Sequence, residues 1–329
     1  MKKVLFIAPA FFGYWRKIKD ELESRELEVF YINQSLTTQG IIKRYIDRYG
    51  DDILRSKMNF NYYAKKMKKI PDDIDFVFVI KGDSLNNSIL KVMKTKYNKA
   101  SFVMYQWDSM ENSPNMVEIA NYFDKIYTFD RNDAKKYNWE YRPLFYDKND
   151  CHSTKKDFDI SFICTLKFKR GEIYKKLKKI ACENRLHFFS YLFVDFRTYL
   201  KRRIFNKDAN YVSISPKEIK FKSMTLEDTA KVYDRSKIVV DYTTSSQSGL
   251  SMRTIECVGH GCKIVTNNAN VKLEKFYCSD NVYIYMDDNL EIPFAFFNSP
   301  YKKLDDGVLD YYSLCGWIDT ILGENLCNE

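Results

Sequence analysis

Ser248-Gly249-Leu250-Ser251-Met252-Arg253-Thr254-Ile255-Glu256-Cys257-Val258-Gly259-His260-Gly261-Cys262-Lys263-Ile264-Val265-Thr266 begins after one apolar strand candidate, Lys237–Tyr242, and ends in a second, Lys263–Thr266. Its middle has the composition of a short helix, opened by a small polar loop and closed by Gly259 and Gly261. Strand, turn, helix, glycine stop and strand make one αβ unit of a parallel sheet. A helix that starts after Ser248 and Gly249 turns backbone N–H groups toward its entrance, which favours an anion. Arg253 and Glu256 are three residues apart and share a helix face. The arginine suits a diphosphate and the glutamate suits a ribose diol.

The same grammar extends outward through the second half. Asp159–Cys164 reads as a strand, Thr165-Leu166-Lys167-Phe168-Lys169-Arg170 as a basic loop, Gly171–Asn184 as a helix and Leu186–Phe189 as the start of another strand. A basic loop at a helix start is a second seat for a diphosphate, with Arg170 or Lys167 as counter-charge. Solvated lysines on a helix cap would leave the same trace. Ser190–Phe205 interleaves Phe193, Phe196, Tyr199 and Leu200 with Arg197, Lys201, Arg202 and Arg203, which fits an interfacial patch or a core with a basic edge. Thr225-Leu226-Glu227-Asp228 opens a helix to Asp234 as a capping box. Asn281–Met286 is a last short strand and Tyr311–Leu322 a terminal helix.

In the first half, Val4–Ala8, a helix over Arg16–Arg25 and Glu28–Ile32 form a βαβ opening. The loop Pro9–Trp15 lacks GxGxxG, so no dinucleotide fingerprint is present. Gly13, Tyr14 and Trp15 suit an acceptor wall, or equally pack under the first helix. A helical region covers Gln39–Lys69. Asp75–Ile80, Ser101–Gln106 and Lys125–Phe129 are strands, and each is followed by an acid: Asp83, Asp108 and Asp130. Ligands of open α/β sheets bind at that edge. Asp130 also reads as a helix N-cap. Asp108, beside the sugar-stacking face of Trp107, is placed to take a proton from an acceptor hydroxyl, with Asp83 as its companion. Asp73-Ile74-Asp75 and Asp157-Phe158-Asp159 match a DxD metal pattern, but both precede strands and are set aside.

The bulk values set the limits. The chain has 329 residues, 45% hydrophobic and 29% charged, which is the balance of a globular protein long enough for two domains. Its net charge of +9 is not concentrated in either half, and nucleic-acid binders usually carry a sharper basic stripe than this. A mild positive balance fits an anionic small substrate or an anionic membrane leaflet. The eight cysteines form no CxxC pair, and Met1-Lys2-Lys3 runs straight into a strand, so a reduced, cytoplasmic chain is expected. No apolar run reaches transmembrane length. The three histidines lack metal-ligand spacing.

Two doubly wound halves with a diphosphate-type site in the second resemble GT-B fold glycosyltransferases. The stretch from Ser248 to Thr266 is similar to the donor motif of that fold. More closely it resembles bacterial transferases of capsule, exopolysaccharide and lipopolysaccharide clusters, near the spore-maturation-type branch. Tyr105-Gln106-Trp107-Asp108-Ser109 looks like a first-domain motif of these proteins. The resemblance implies an α/β protein of two Rossmann-like domains facing each other across a cleft. Residues 1–150 would bind the acceptor, residues 151–303 the nucleotide sugar, and residues 304–329 would carry a helix crossing back to the first domain. It implies that Glu256 binds the donor ribose, that Arg253 and the turn Ser248, Gly249, Leu250 and Ser251 hold the diphosphate, and that Arg170 assists.

Two departures stand out. Ser248 occupies the place of the first of two glutamates separated by seven intervening residues in retaining members, and the loop Pro9–Trp15 lacks the histidine of inverting ones. Stereochemistry and base are therefore left open. The expectation is a metal-independent glycosyltransferase that uses a nucleotide-diphosphate sugar as co-substrate and no other cofactor. Its acceptor is a saccharide or lipid-linked saccharide, and it makes peripheral contact with the inner face of the membrane. A nucleotide-sugar 2-epimerase of the same fold and a non-catalytic nucleotide-sugar-binding subunit are the alternatives.

Overall fold

The computed structural model describes residues 1–10, 13–34, 52–113, 116–152, 155–244, 248–286 and 289–326. Phe11, Phe12 and residues 39–51 of the expected helical region lie outside them. The chain divides into two compact units, Met1–Pro143 with Leu314–Glu329, and Leu144–Ser313.

Unit 1 is built on six parallel strands: β1 (Lys3–Ala8), β2 (Glu28–Asn33), β3 (Phe76–Ile80), β4 (Ser101–Gln106), β5 (Lys125–Thr128) and β6 (Glu140–Tyr141). Their order is β2-β1-β3-β4-β5-β6. All five residues of β3 are buried, as a strand covered by helices on both faces requires. Each of its Val and Phe side chains contributes roughly 1.5–3 kcal/mol by leaving water. The order turns back between β1 and β3, which leaves a crevice at their carboxyl ends. The first helix starts at Tyr14, two residues before the expected Arg16, because Gly13 at φ 84 turns the chain into it. The helix Leu314–Leu326 completes this unit, with the Trp317 ring edge-on to Tyr105 at 4.7 Å and 6.0 Å from Phe78.

Unit 2 repeats the plan with β7 (Phe158–Thr165), β8 (Phe188–Phe193), β9 (Ile219–Lys220), β10 (Ser236–Asp241), β11 (Lys263–Thr266) and β12 (Val282–Ile284). The parallel order β12-β11-β10-β7-β8-β9 has its switch point between β7 and β10. β10 runs one residue earlier than the expected Lys237–Tyr242, and the expected Asn281–Met286 strand is shorter. The single helix expected over Tyr311–Leu322 is two, Asp306–Tyr312 and Leu314–Leu326, broken at Ser313 in extended backbone. Gly259 ends the helix Met252–Gly259 against the ring of Tyr146; a Cβ there would lie 2.1 Å from that ring, so no other residue fits. Tyr146 in turn donates its N–H to Tyr312 O at 2.9 Å.

Among the described residues, no helix is long and apolar enough to cross a membrane.

Candidate functional site

In unit 2 the chain leaves β7 at Thr165 and enters the helix Arg170–Glu183 through a turn in which Phe168 takes φ 54. That turn sends the Arg170 guanidinium back over the sheet edge. Nη1 donates to Thr165 O at 3.1 Å and Nη2 to Tyr242 O at 3.3 Å. Arg170 thus bridges the carboxyl ends of β7 and β10, the switch pair. Arg253, in the first turn of the helix Met252–Gly259, sends Nη1 to the Asp241 carboxylate at the end of β10. Asp241 is 1% exposed, and its other oxygen accepts from Ser251 Oγ at 2.7 Å and Thr254 Oγ1 at 2.8 Å. Ser251 Oγ also accepts from Thr254 N at 3.3 Å, so Ser251 is the N-cap of that helix.

Charge balance at this edge favours an anion. Burial pushes the Asp241 carboxyl upward, but Arg253 and the two hydroxyls hold it below the usual carboxylate range. Burial likewise opposes the charge on Arg253, and Asp241 outweighs it. Arg170 is drawn below its ordinary value by burial and by the positive charge of Arg253. Cys164 beside them is pushed up to about 11 by burial, although both arginines pull the other way, and it stays a thiol. Arg253 thus holds the Asp241 carboxylate while Arg170, nearby, is held by two backbone carbonyls, and each guanidinium keeps a buried Nε with no hydrogen-bond partner. An unpaired buried donor costs about 1–3 kcal/mol.

The remaining predicted donor residues frame the pair. Ser248, Gly249 and Leu250 are buried. The Ser248 carbonyl accepts from Asn268 and Asn270 side-chain amides at 3.3 and 3.0 Å, and Gly249 O accepts from Asn268 at 3.2 Å. Asn268 went unnoticed in the sequence, as did Asp241. Glu256 sits half-buried one turn beyond Arg253, and Lys167 is exposed in the turn after β7.

In unit 1 the corresponding edge carries the opposite arrangement. After β3 the chain turns through Lys81 at φ 70 and Gly82 at φ 80, a left-handed pair that a second non-glycine residue would strain. The turn brings Lys81 Nζ to 2.6 Å from Asp108 and 2.9 Å from Asp83. Gln106, fully buried, donates Nε2 to Lys81 O at 3.2 Å and helps fix the turn. Burial works against the Lys81 charge, yet the two carboxylates raise its pKa above the ordinary value. Asp133 holds the next segment by accepting from Met110 N at 2.7 Å. Asp130 caps the helix Arg131–Tyr137, accepting from Asn132 N and Asp133 N, and so is withdrawn from the edge.

The aromatic residues divide. Tyr14 and Trp107 lie 5.6 Å apart, and with Ala8, Pro9, Trp15, Ile18 and Ile80 they line a small apolar hollow at the ends of β1 and β3. Trp15 itself stacks flat on Tyr31 at 4.2 Å, and Gly13 serves the turn into the first helix.

The two DxD pairs sit at the opposite, amino-terminal edges in structural ion pairs and a backbone hydrogen bond, with Asp73 paired to Lys3 Nζ at 2.5 Å. Asp75 accepts from Lys3 N at 2.6 Å, Asp157 takes Arg235 at 2.6 Å and Asp159 takes Lys237 at 2.7 Å. Among the described residues no cluster of His, Cys, Asp and Glu is placed to hold a metal.

No family model and no curated protein sequence matches the chain. Solved structures do. The Anabaena protein HepE in complex with UDP-glucose aligns over 99% of both chains with a TM-score of 0.64 at 10% identity. A glycosyltransferase from Rickettsia africae aligns over 100% of this chain and 99% of its own, with a TM-score of 0.60 at 13% identity. The lipopolysaccharide outer core galactosyltransferase WaaB, in its apo form, aligns over 98% and 99% with a TM-score of 0.55 at 12% identity. The chain has the GT-B fold. At these identities the likeness speaks for the GT-B fold alone, and chemistry has to be argued from the two sheet edges.

Proposed function

We propose that this GT-B chain is a glycosyltransferase that moves a sugar from a nucleotide-diphosphate donor to a saccharide or lipid-linked saccharide acceptor in cell-surface polysaccharide synthesis. The observation that carries the reading is the pair Arg170 and Arg253 at the β7–β10 switch point, one held by backbone carbonyls and the other by the Asp241 carboxylate, each with a buried Nε unpaired. A diphosphate supplies the acceptor oxygens those groups lack. In transfer, the bond from the anomeric carbon to the diphosphate oxygen breaks as a bond to the acceptor hydroxyl oxygen forms. Negative charge grows on the departing diphosphate, and fixed guanidinium groups stabilise it without reorganising. Glu256 accepts from the ribose diol. Asp108 takes the acceptor proton, with Lys81 holding its carboxylate and Trp107 and Tyr14 offering faces for a sugar ring. HepE, of the same fold, binds UDP-glucose.

Calorimetry with UDP-, GDP-, CMP- and dTDP-sugars, in buffer with chelator, tests this directly. Binding of one class is expected without added metal. With that donor, Asp108→Asn is expected to lower turnover by about 10²–10⁴-fold while leaving donor affinity unchanged. Failure to bind any of the four classes would sink the proposal.

A further inference from the structure

Residues 195–222 of unit 2 carry eight basic and three acidic side chains, a net +5 in a chain of net +9. Five of the large apolar side chains that protrude into solvent come from this segment: Phe205 at 78% exposure, Ile204 at 56%, Phe196 at 54%, Val212 at 48% and Phe221 at 44%. They form one folded piece. The helix Phe196–Leu200 runs on into a wide turn, Lys201–Phe205. The Phe196 and Phe221 rings meet edge-on at 5.3 Å. Arg203 ties the turn to the next helix, Ala209–Val212, by donating to Tyr211 O at 2.5 Å, and to Ile214 O just past it at 3.0 Å. The three acids are occupied locally: Asp195 and Asp208 cap helices, and Glu218 accepts from Tyr174 and Lys178. Of the exposed basic side chains, Arg202 lies 3.6 Å from Asp208, while Arg197, Lys201 and Lys207 face water.

The piece is also fastened to the turn after β7. The Tyr211 hydroxyl donates to Leu166 O, and Asn210 Nδ2 donates to Phe168 O at 3.0 Å. Phe168, 64% exposed, adds a further protruding ring beside Lys167, three residues or fewer from Arg170.

We infer that this patch is a docking surface for an anionic phospholipid bilayer. Separate aromatic and aliphatic side chains standing out among lysines and arginines match the headgroup boundary, where rings settle at headgroup level and basic groups meet lipid phosphate. The charge speaks against a second copy of the chain, since a two-fold contact would set +5 against +5. Because the patch shares its framework with the turn leading to Arg170, docking brings that sheet edge to the lipid surface. The lipid contact itself does not depend on the transferase reading; only this consequence does.

The test is sedimentation of the full chain with extruded vesicles of phosphatidylcholine, with and without phosphatidylglycerol. The chain is expected to bind the anionic vesicles and not the neutral ones, and to release as salt rises from about 0.1 M to about 1 M, where the Debye length falls to about 3 Å. Ile204→Glu with Phe205→Glu, both at exposed positions, is expected to lower partitioning at least about tenfold. Lys220→Glu with Lys222→Glu is expected to do the same without removing an apolar group. Equal binding by these variants, or no binding by the parent chain, overturns the inference. So does a dimer in sedimentation velocity that Phe205→Glu dissolves. Nucleotide-sugar calorimetry on the same variants separates the two proposals. Intact donor binding with no vesicle binding removes only the lipid surface, and vesicle binding with no donor binding removes only the transferase.

Discussion

The carboxyl edges of the two sheets are charge inverses of each other. In unit 1 one lysine, Lys81, lies between two carboxylates, Asp83 and Asp108, whose side chains are 44% and 40% exposed. In unit 2 one carboxylate, Asp241, is 1% exposed, is held by Arg253 and lies in the field of Arg170. The same doubly wound framework thus yields an open acidic edge and a closed basic one. The depth of the carboxylates decides what each can do. An exposed pair contributes little to stability, about 0–1 kcal/mol, and leaves its carboxylates accessible to a hydroxyl. Removing one partner of a buried pair is expensive, which fixes the guanidiniums in place for an anion.

That contrast can be broken most forcefully at Asp241. Asp241→Asn should lower the unfolding free energy by about 3–5 kcal/mol, read from urea denaturation. The sign of its pH dependence follows from a folded-state pKa held below the unfolded value. The stabilisation is present above about pH 4 and fades as pH falls through the lower folded value. A loss of less than about 1 kcal/mol would show that the two arginines stand without their counter-ion. Next in size, Arg170→Met should weaken donor-nucleotide affinity about 10–100-fold by calorimetry, the worth of hydrogen bonds to a charged group. Undiminished affinity would move the anion seat away from the switch pair. The smallest effect is expected at Lys81. Lys81→Met should change stability by less than about 1 kcal/mol, yet lower turnover with donor affinity held constant. A large stability loss instead would make the acidic edge a structural knot like that of unit 2.

Much of the framework was legible because parallel strands buried on both faces write themselves as short apolar runs. Phe76–Ile80 and Lys263–Thr266 are such runs, whereas the two-residue strands Glu140–Tyr141 and Ile219–Lys220 leave no periodicity to read. Arg170 and Arg253 could be singled out because their positions after a strand and in the first turn of a helix are local facts. Asp241 could not be weighed in the same way. It reads as the polar end of an apolar strand, and only packing turns it into the partner of Ser251, Arg253 and Thr254. Lys81 was hidden for another reason: its left-handed backbone is set by the turn with Gly82, and no side-chain pattern announces that. The outward facing of Ile204 and Phe205 could not be read either, since apolar character alone does not say which way a side chain faces.

The helix Leu314–Leu326 carries a consequence for how the chain is made. Trp317, Ile318, Ile321 and Leu322 are buried in unit 1, where Trp317 covers Tyr105 and Phe78 and the Tyr127 hydroxyl donates to Thr320 O at 2.9 Å. All of Leu144–Ser313 is translated between the first sheet and the helix that closes it. At bacterial-to-eukaryotic elongation rates of about 5–20 residues per second, that interval is on the order of ten to thirty seconds. For that time the nascent first sheet shows a bare aromatic face at the ribosome exit, a natural landing place for a holding chaperone and the point at which a stalled chain is most open to proteolysis.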